Sequence, residues 1–394
     1  MRGLFCCDWY IYKDNEGNYY DITLTKEVLD RYLKIVDQLF IAIRVKQIED
    51  RSLIKNYSKL PSEKVHIYEL PDILSPKGII FEQKRTKQLL NNVVENSDLI
   101  FVRLPSLVGN KVIKIAKEKG KPYLSEVGGC AWDSYWNHSI KGKVLAPYMF
   151  FNMRKVVRGS HFTSYVTEKF LQKRYPTNGQ TCSCSNVVLK QCGDINILKN
   201  RLKKIEKFDK KKPVIIGTTA AVNVKYKGQQ YVIKAISKLN SKGYNLHYHL
   251  VGSGDNSYLK RVAKKYGVLD KVHFLGVMKH EDVLSWLEEI DIYVQPSKQE
   301  GLPRALIEAM SKGCPAIGST TAGIPELLNN SMIFNNGNVN QICEKLEYLI
   351  NSRDFMKEQA TLNFNKAKEY DYKIIEERRF KFFKKYLKTV ASFQ

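Results

Sequence analysis

Residues 295–328 read QPSKQEGLPRALIEAMSKGCPAIGSTTAGIPELL, and two carboxylates within them, Glu300 and Glu308, flank a helix start. Pro303 suits a first helical position, because its φ is already helical and it lacks an amide hydrogen that would go unpaired there. The free N–H groups and the dipole of such a start attract an anion. Gly301 and Leu302 present further backbone N–H groups, and a Cβ at Gly301 would block a close approach. One carboxylate precedes the helix and the other falls in its second turn. This layout suits a ligand with phosphate at its centre and hydroxyl-bearing ends. A nucleotide sugar is such a ligand.

Bringing these groups together requires strands that end on one rim. Apolar runs predict a strand at 214–216 ending in Gly217 and one at 246–251 ending in Gly252-Ser253-Gly254. A third, at 290–294, leads into Glu300. Val232, Ile233, Ile236 and Leu239 follow a helical period. Further strands at 272–275, 316–318 and 332–334, with helices at 258–266, 282–288 and 339–350, complete a doubly wound sheet. Ligands in such sheets bind beyond the carboxyl ends of the strands, so Gly217, Gly252 and Glu300 are expected on one rim.

The first half alternates in the same way. Strands are predicted at 4–7, 39–43, 99–102, 123–127 and 161–166, and helices at 25–36, 84–95, 109–119 and 143–157. Residues 182–212 break the alternation with three cysteines and the basic run KNRLKKIEKFDKKK, which reads as a joint. The expected organisation is α/β: a domain over 1–195, a linker over 196–212, a second domain over 213–371 and a terminal basic, aromatic helix within 372–394.

Composition narrows the class. At 43% hydrophobic and 26% charged, the chain is expected to be globular. It has no apolar run of 18 residues, hence no expected spanning helix, and its start does not resemble a signal peptide. The eight cysteines follow no disulfide or zinc spacing and read as reduced thiols. The net charge of +24 favours phosphate-bearing partners. A nucleic-acid partner is not expected, since no binding motif accompanies that charge; a soluble surface is the first reading of it and contact with an anionic membrane the second.

The segment EGLPRALIEAM, with its E-x7-E spacing, resembles the retaining glycosyltransferases of family 4. Lys227-Gly228 before an amphipathic helix, VGSG at 251–254, VHFLG at 272–276 and AGIPELL at 322–328 are similar to the same family in order and spacing. The resemblance spans about residues 213–350. It implies the GT-B fold: two Rossmann-like, doubly wound domains facing across a cleft, with a C-terminal helix crossing back to the first. It also implies a nucleotide-sugar donor such as a UDP- or GDP-sugar, no metal, and front-face transfer without a protein nucleophile. By the same resemblance Glu308 binds the ribose hydroxyls and Glu300 the sugar, or lies beside the reacting carbon. Leu302 and Pro303 border the distal phosphate with Gly301, while Gly252 and Gly254 let the chain approach the nucleotide. Lys227 supplies positive charge to the leaving diphosphate. An arginine that the family places after the first strand of this domain is missing. That place reads Gly217-Thr218-Thr219, and Lys225 is the candidate replacement, although lysine cannot fork two oxygens. Arg304 is a phosphate ligand or a surface residue at the helix start, and the surface reading is the favoured one.

The first half resembles the acceptor domains of bacterial polysaccharide-assembling members, notably at Trp132-Asp133 and VTEKFLQKRYP. Asp133 and His138 are candidates for acceptor binding or proton handling. The expected acceptor is a growing or polyprenyl-linked surface glycan. The helix at 143–158 carries Met149, Phe150, Met153, Val156 and Val157 on one face beside Arg154, Lys155 and Arg158. Packing on the sheet and contact with an anionic membrane both fit that face. The expected location is the cytoplasm, with a peripheral position on the inner face of the plasma membrane as the extension. Two alternatives remain at this level: a nucleotide-sugar 2-epimerase on the same plan, and a nucleic-acid-binding protein.

Overall fold

A computed structural model describes residues 1–49, 54, 57–61, 63–73, 75–190 and 192–393. Among them the first half forms a nine-stranded sheet. Its strands are β1 (Arg2–Lys13), β2 (Tyr19–Asp21), β3 (Gln38–Gln47), β4 (Ser58–Lys59), β5 (Val65–Leu70), β6 (Leu99–Leu104), β7 (Leu124–Val127), β8 (Phe162–Tyr165) and β9 (Gln180–Ser183). The parallel order is β5-β3-β1-β6-β7-β8-β9, and β2 and β4 add a short antiparallel ribbon at the far end of β1. Leu4, Phe5, Cys6, Leu39, Ile41 and Ile100–Val102 are buried, as continuous apolar runs must be in a sheet covered on both faces.

The second half is a six-stranded parallel sheet, in the order β12-β11-β10-β13-β14-β15. Here β10 is Val214–Thr219, β11 Leu246–Val251, β12 Val272–Gly276, β13 Ile292–Gln295, β14 Ala316–Ser319 and β15 Ile333–Phe334. The order reverses at β10, whose neighbours on either side are β11 and β13. That is the switch point where a doubly wound sheet opens a crevice for ligand.

The chain passes between the halves at two adjoining places, since Leu189 bridges Asp371 and the Tyr372 N–H donates to the Leu189 carbonyl at 3.0 Å. The helix Tyr372–Phe393 then lies on the first sheet. Phe383 packs on Phe101 and Tyr32, and Phe382 on Phe162. The Tyr386 hydroxyl accepts from the Ile100 N–H and donates to the Pro122 carbonyl, both at 3.0 Å. An aromatic helix surface thus replaces solvent over the first core, as the GT-B resemblance implied.

One segment differs from the reading of the sequence, and a second keeps its expected face while adding another. The basic run taken for a linker contains the helix Ile195–Glu206, which buries Leu198, Arg201 and Ile205. Arg201 occupies a core position because its guanidinium donates to the Ile290 and Leu287 carbonyls, both at 2.6 Å. The helix Ile140–Arg158 packs Met149, Met153, Val156 and Val157 onto the sheet, so that face is core. A second apolar stripe, Ile140, Val144, Tyr148 and Phe151, points outward and stays exposed, Ile140 at 84%.

Candidate active site

The loop after β13 carries Glu300, and the helix Arg304–Ser311 follows. Pro303 is not the first helical residue. It stands just before it, with ψ at 110°, and its carbonyl accepts the Ile307 N–H. No side chain caps this helix start, so its leading N–H groups remain available to a ligand.

Lys227 arrives from a tight turn, Lys225–Lys227, after β10. Gly228 closes that turn at φ +80°, and a Cβ there would lie 2.0 Å from the Pro296 carbonyl oxygen. Only glycine allows the two loops to approach so closely. The Lys298 N–H also donates to the Tyr226 carbonyl at 2.7 Å. Lys227 Nζ then donates to Glu300 Oε1 at 2.7 Å, and Gln295 Nε2 donates to the same oxygen at 3.1 Å. The side chains of Lys227 and Glu300 are 22% and 12% exposed, so this is a largely desolvated pair with one edge open.

The open edge faces two adjoining cavities of about 370 Å³ each between the sheets. Thr219, Lys227, Gln295, Glu300, Gly301 and the helix start at 303–305 line one wall. Trp9, Arg103, Gly128 and Asn186 line the other. The walls touch at Gly301, where a Cβ would come within 2.1 Å of the Gly128 carbonyl oxygen. They are also clasped by Glu326 of AGIPELL, which accepts the N–H groups of Glu168, Lys169 and Phe170 at 2.7, 3.2 and 2.6 Å.

Other expected residues fall elsewhere. Glu308 sits one turn beyond the cavity lining, with Oε1 3.3 Å from His280 Nε2. The hydrogen bond to Glu308 pulls the His280 pKa above its ordinary value. Gly217 lies inside β10, not after it; a Cβ there would strike Ile290 and Trp286, so it serves packing under the sheet. Thr218 is buried and donates to the Val294 carbonyl at 2.7 Å. Its neighbour Thr219 lines the cavity, and the Thr219 hydroxyl is buried with no partner among the described residues. Lys225 turns to the Tyr258 ring, 4.8 Å from its centroid, rather than to the cavity. Arg304 is exposed, as the surface reading has it, and also lines the cavity. Gly252 and Gly254 bed the loop after β10, against Ala220 and Asn223.

On the opposite wall Asp133 belongs to the helix Ala131–Trp136 and lies against Cys130 and Arg174. Burial raises its pKa, with Cys130 and Arg174 opposing. His138 lies past the end of that helix and is exposed. Neither lines the cavities with Glu300. Glu126 pairs with Arg103, directly opposite it in the β6–β7 register. Burial works to raise the Glu126 pKa, but the charge and hydrogen bonds of Arg103 hold it below the ordinary carboxylate value.

The sequence profile of the family described as "Glycosyl transferases group 1" matches residues 199–368. Protein CapJ of Staphylococcus aureus is 32% identical over 402 residues, covering 100% of this chain and 97% of its own. The chain belongs to the group 1 glycosyl transferases. The amylovoran biosynthesis glycosyltransferase AmsK of Erwinia amylovora is 33% identical over 140 residues, 32% of this chain and 34% of its own. Among solved structures, Anabaena Alr3699/HepE in complex with UDP superposes with a TM-score of 0.64 at 15% identity, covering 100% of both chains. That likeness bears on the fold, which is GT-B.

For this glycosyltransferase the sequence singled out the paired Lys227 and Glu300 and the helix start beside them. It missed His280, Thr219, Arg103 and Asn186. His280 could have been sought as the histidine that opens the helix after β12. Arg103 could have been sought as the one cation at the end of an otherwise apolar strand.

Proposed function

We propose that this glycosyltransferase moves a sugar from a nucleoside diphosphate sugar, with uridine as the first base to test, to a hydroxyl of a growing or lipid-linked glycan in surface polysaccharide assembly. The observation that carries the reading is the Lys227–Glu300 pair at 2.7 Å beside an uncapped helix start, in a cavity between two sheets. The AmsK relative, named for amylovoran biosynthesis, and the UDP complex of the HepE neighbour support the polymer and the base.

In this reading the diphosphate lies between Lys227 and the N–H groups before and within the first turn at Arg304. Glu300, fixed by Lys227 and Gln295, accepts from the sugar hydroxyls. Glu308 and His280 lie further along the same rim, where the ribose would extend. The bond from the anomeric carbon to the diphosphate oxygen breaks, and the acceptor oxygen bonds to that carbon on the same face. The acceptor proton passes to the departing phosphate oxygen, so the anomeric configuration is retained. Lys227, Arg304 and the helix dipole neutralise the charge that grows on the diphosphate, the part a divalent cation plays in other designs.

Donor and candidate acceptors followed by proton NMR test this. The expected product is a new glycoside with the anomeric configuration of the donor, formed at the same rate with and without EDTA. An inverted product would refute front-face transfer, and a strict requirement for Mg²⁺ or Mn²⁺ would refute the metal-free site.

A peripheral membrane position has its own support. Among the described residues no helix is long and apolar enough to cross a bilayer. The exposed stripe Ile140, Val144, Tyr148 and Phe151, with Lys141, Lys143, Lys155 and Arg158 on the same helix, suits an interfacial position. Flotation with anionic liposomes at low salt is the test; absence from the lipid fraction at every salt concentration would exclude it.

A further inference from the structure

Two cysteines meet where the first sheet touches the crossing helix, and the transfer reaction above uses neither. Cys182 stands in β9 and Cys184 just past it. Their Sγ atoms are 3.3 Å apart, within hydrogen-bond reach of each other. Cys184 is buried and Cys182 is half-buried. The Cys184 thiol, donating to Cys182, draws the Cys182 pKa below its ordinary value. Burial opposes this, and the charges of Arg378, Arg379 and Lys385 on the crossing helix reinforce it. The same hydrogen bond, with burial, raises the Cys184 pKa. The pair is therefore asymmetric: a thiolate with access to solvent and a protonated thiol behind it.

The other thiols set this pair apart. Cys6, Cys7, Cys130, Cys314 and Cys343 are buried. Cys192 is half-buried like Cys182, but its Sγ donates to the Ala367 carbonyl at 3.4 Å. Burial pushes its pKa up to about 11. Reactive cysteines are those with access to solvent and cations nearby, since the thiolate is the nucleophile. Among the described residues Cys182 alone joins access, a lowered pKa and a second sulfur in reach.

We propose that Cys182 and Cys184 are a reversible redox-modification site, closed to a disulfide by a hydroperoxide. The Cys182 thiolate attacks a peroxide oxygen, and the O–O bond breaks. Sulfur gives up two electrons and becomes a sulfenic acid, while the departing hydroxide takes a solvent proton and leaves as water. Cys184 Sγ then attacks the Cys182 sulfur. The S–O bond breaks, the Cys184 proton leaves with that oxygen as a second water, and the disulfide forms. Closure brings the sulfurs from 3.3 Å to about 2 Å, a small movement. A thiol reductant reverses it by exchange. The segment modified is the one that anchors the crossing helix. The Ser183 carbonyl accepts from Arg378 Nη1 at 3.0 Å and the Ser185 carbonyl from Arg379 Nη2 at 2.6 Å. Asn186 of the cavity wall comes next. The inference stands apart from the donor reading and holds whichever sugar is moved.

The test treats the folded full chain with hydrogen peroxide after its reductant is removed. Free thiols are then blocked with N-ethylmaleimide and the peptides mapped by mass. The expected result is a peptide carrying Cys182 and Cys184 that is two hydrogens lighter and takes no maleimide, with both thiols recovered after dithiothreitol. Cys192 serves as the internal control. Its higher pKa leaves less thiolate, partly offset by greater nucleophilicity, so Cys182 should react about tenfold faster or more. In Cys184→Ser the reaction should stop at the Cys182 sulfenic acid, which dimedone captures; this variant removes only one sulfur and keeps a hydroxyl in its place. Maleimide on both Cys182 and Cys184 after peroxide would overturn the proposal. So would a Cys192 that reacts as fast as Cys182, a Cys182 carried on to sulfinic acid in the parent chain, or no dimedone adduct in Cys184→Ser.

Discussion

On the second sheet, every group that faces the cavity comes from a strand end or the loop after it. Lys227 follows β10, and Glu300 and the helix start follow β13, neighbours at the switch point. On the first sheet the groups come from scattered places. Trp9 stands in β1, Arg103 in β6, Gly128 just past β7 and Asn186 past β9. One wall is built from local spacing and the other from long-range pairing. A substitution in the first should therefore disable chemistry and spare the fold, whereas one in the second should disturb both.

The sharpest way to break that contrast is Phe383→Ala. Its ring packs between Tyr32 and Phe101, and removing a buried aromatic costs about 3–5 kcal/mol. Thermal melting should show a large loss. Unchanged melting would mean that the crossing helix does not hold the first wall. Next, Lys227→Ala and Glu300→Gln should lower turnover roughly 10²–10³-fold, the scale of losing one preorganised electrostatic contact. Melting should shift little in either. Full activity in both would remove the donor site.

The smallest effect is a pH profile. The His280 pKa is raised in the folded state above its ordinary 6.5, so its pairing with Glu308 stabilises fully below that pH. The gain is lost as pH rises through the elevated folded value. With the His280 side chain 55% exposed, solvent screening limits it to a few tenths of a kcal/mol. Melting temperatures of the parent and His280→Gln should differ at pH 5.5 and converge at pH 8.5. A constant difference would mean that the pair carries no charge.

This contrast explains what could be read from the sequence. The second sheet was legible because E-x7-E and Lys227-Gly228 record local geometry in local spacing. Thr219 was not, since an orphaned hydroxyl leaves no mark on the chain. The Arg103–Glu126 pair depends on two strands lying side by side, and Arg379 on a helix that returns from the far end. The helix Ile195–Glu206 was hidden because a buried arginine, Arg201, occupies a core position and erases the apolar period. In the helix Ile140–Arg158 the expected face proved to be core, and the exposed stripe went unseen because two apolar faces overlap in one helix.

Glu326 holds three N–H groups of the opposite wall on one carboxylate. Parting the walls must therefore strip that carboxylate of all three at once, along with the bonds from Asn137 Nδ2 to the Lys298 carbonyl and from Gln299 Nε2 to Ser134 Oγ. Any motion that widens the cavity between the walls would pass through that rupture. Such an opening would respond to temperature and ionic strength apart from the chemistry of transfer. A residue outside the cavity lining thereby bears on how readily the cavity opens.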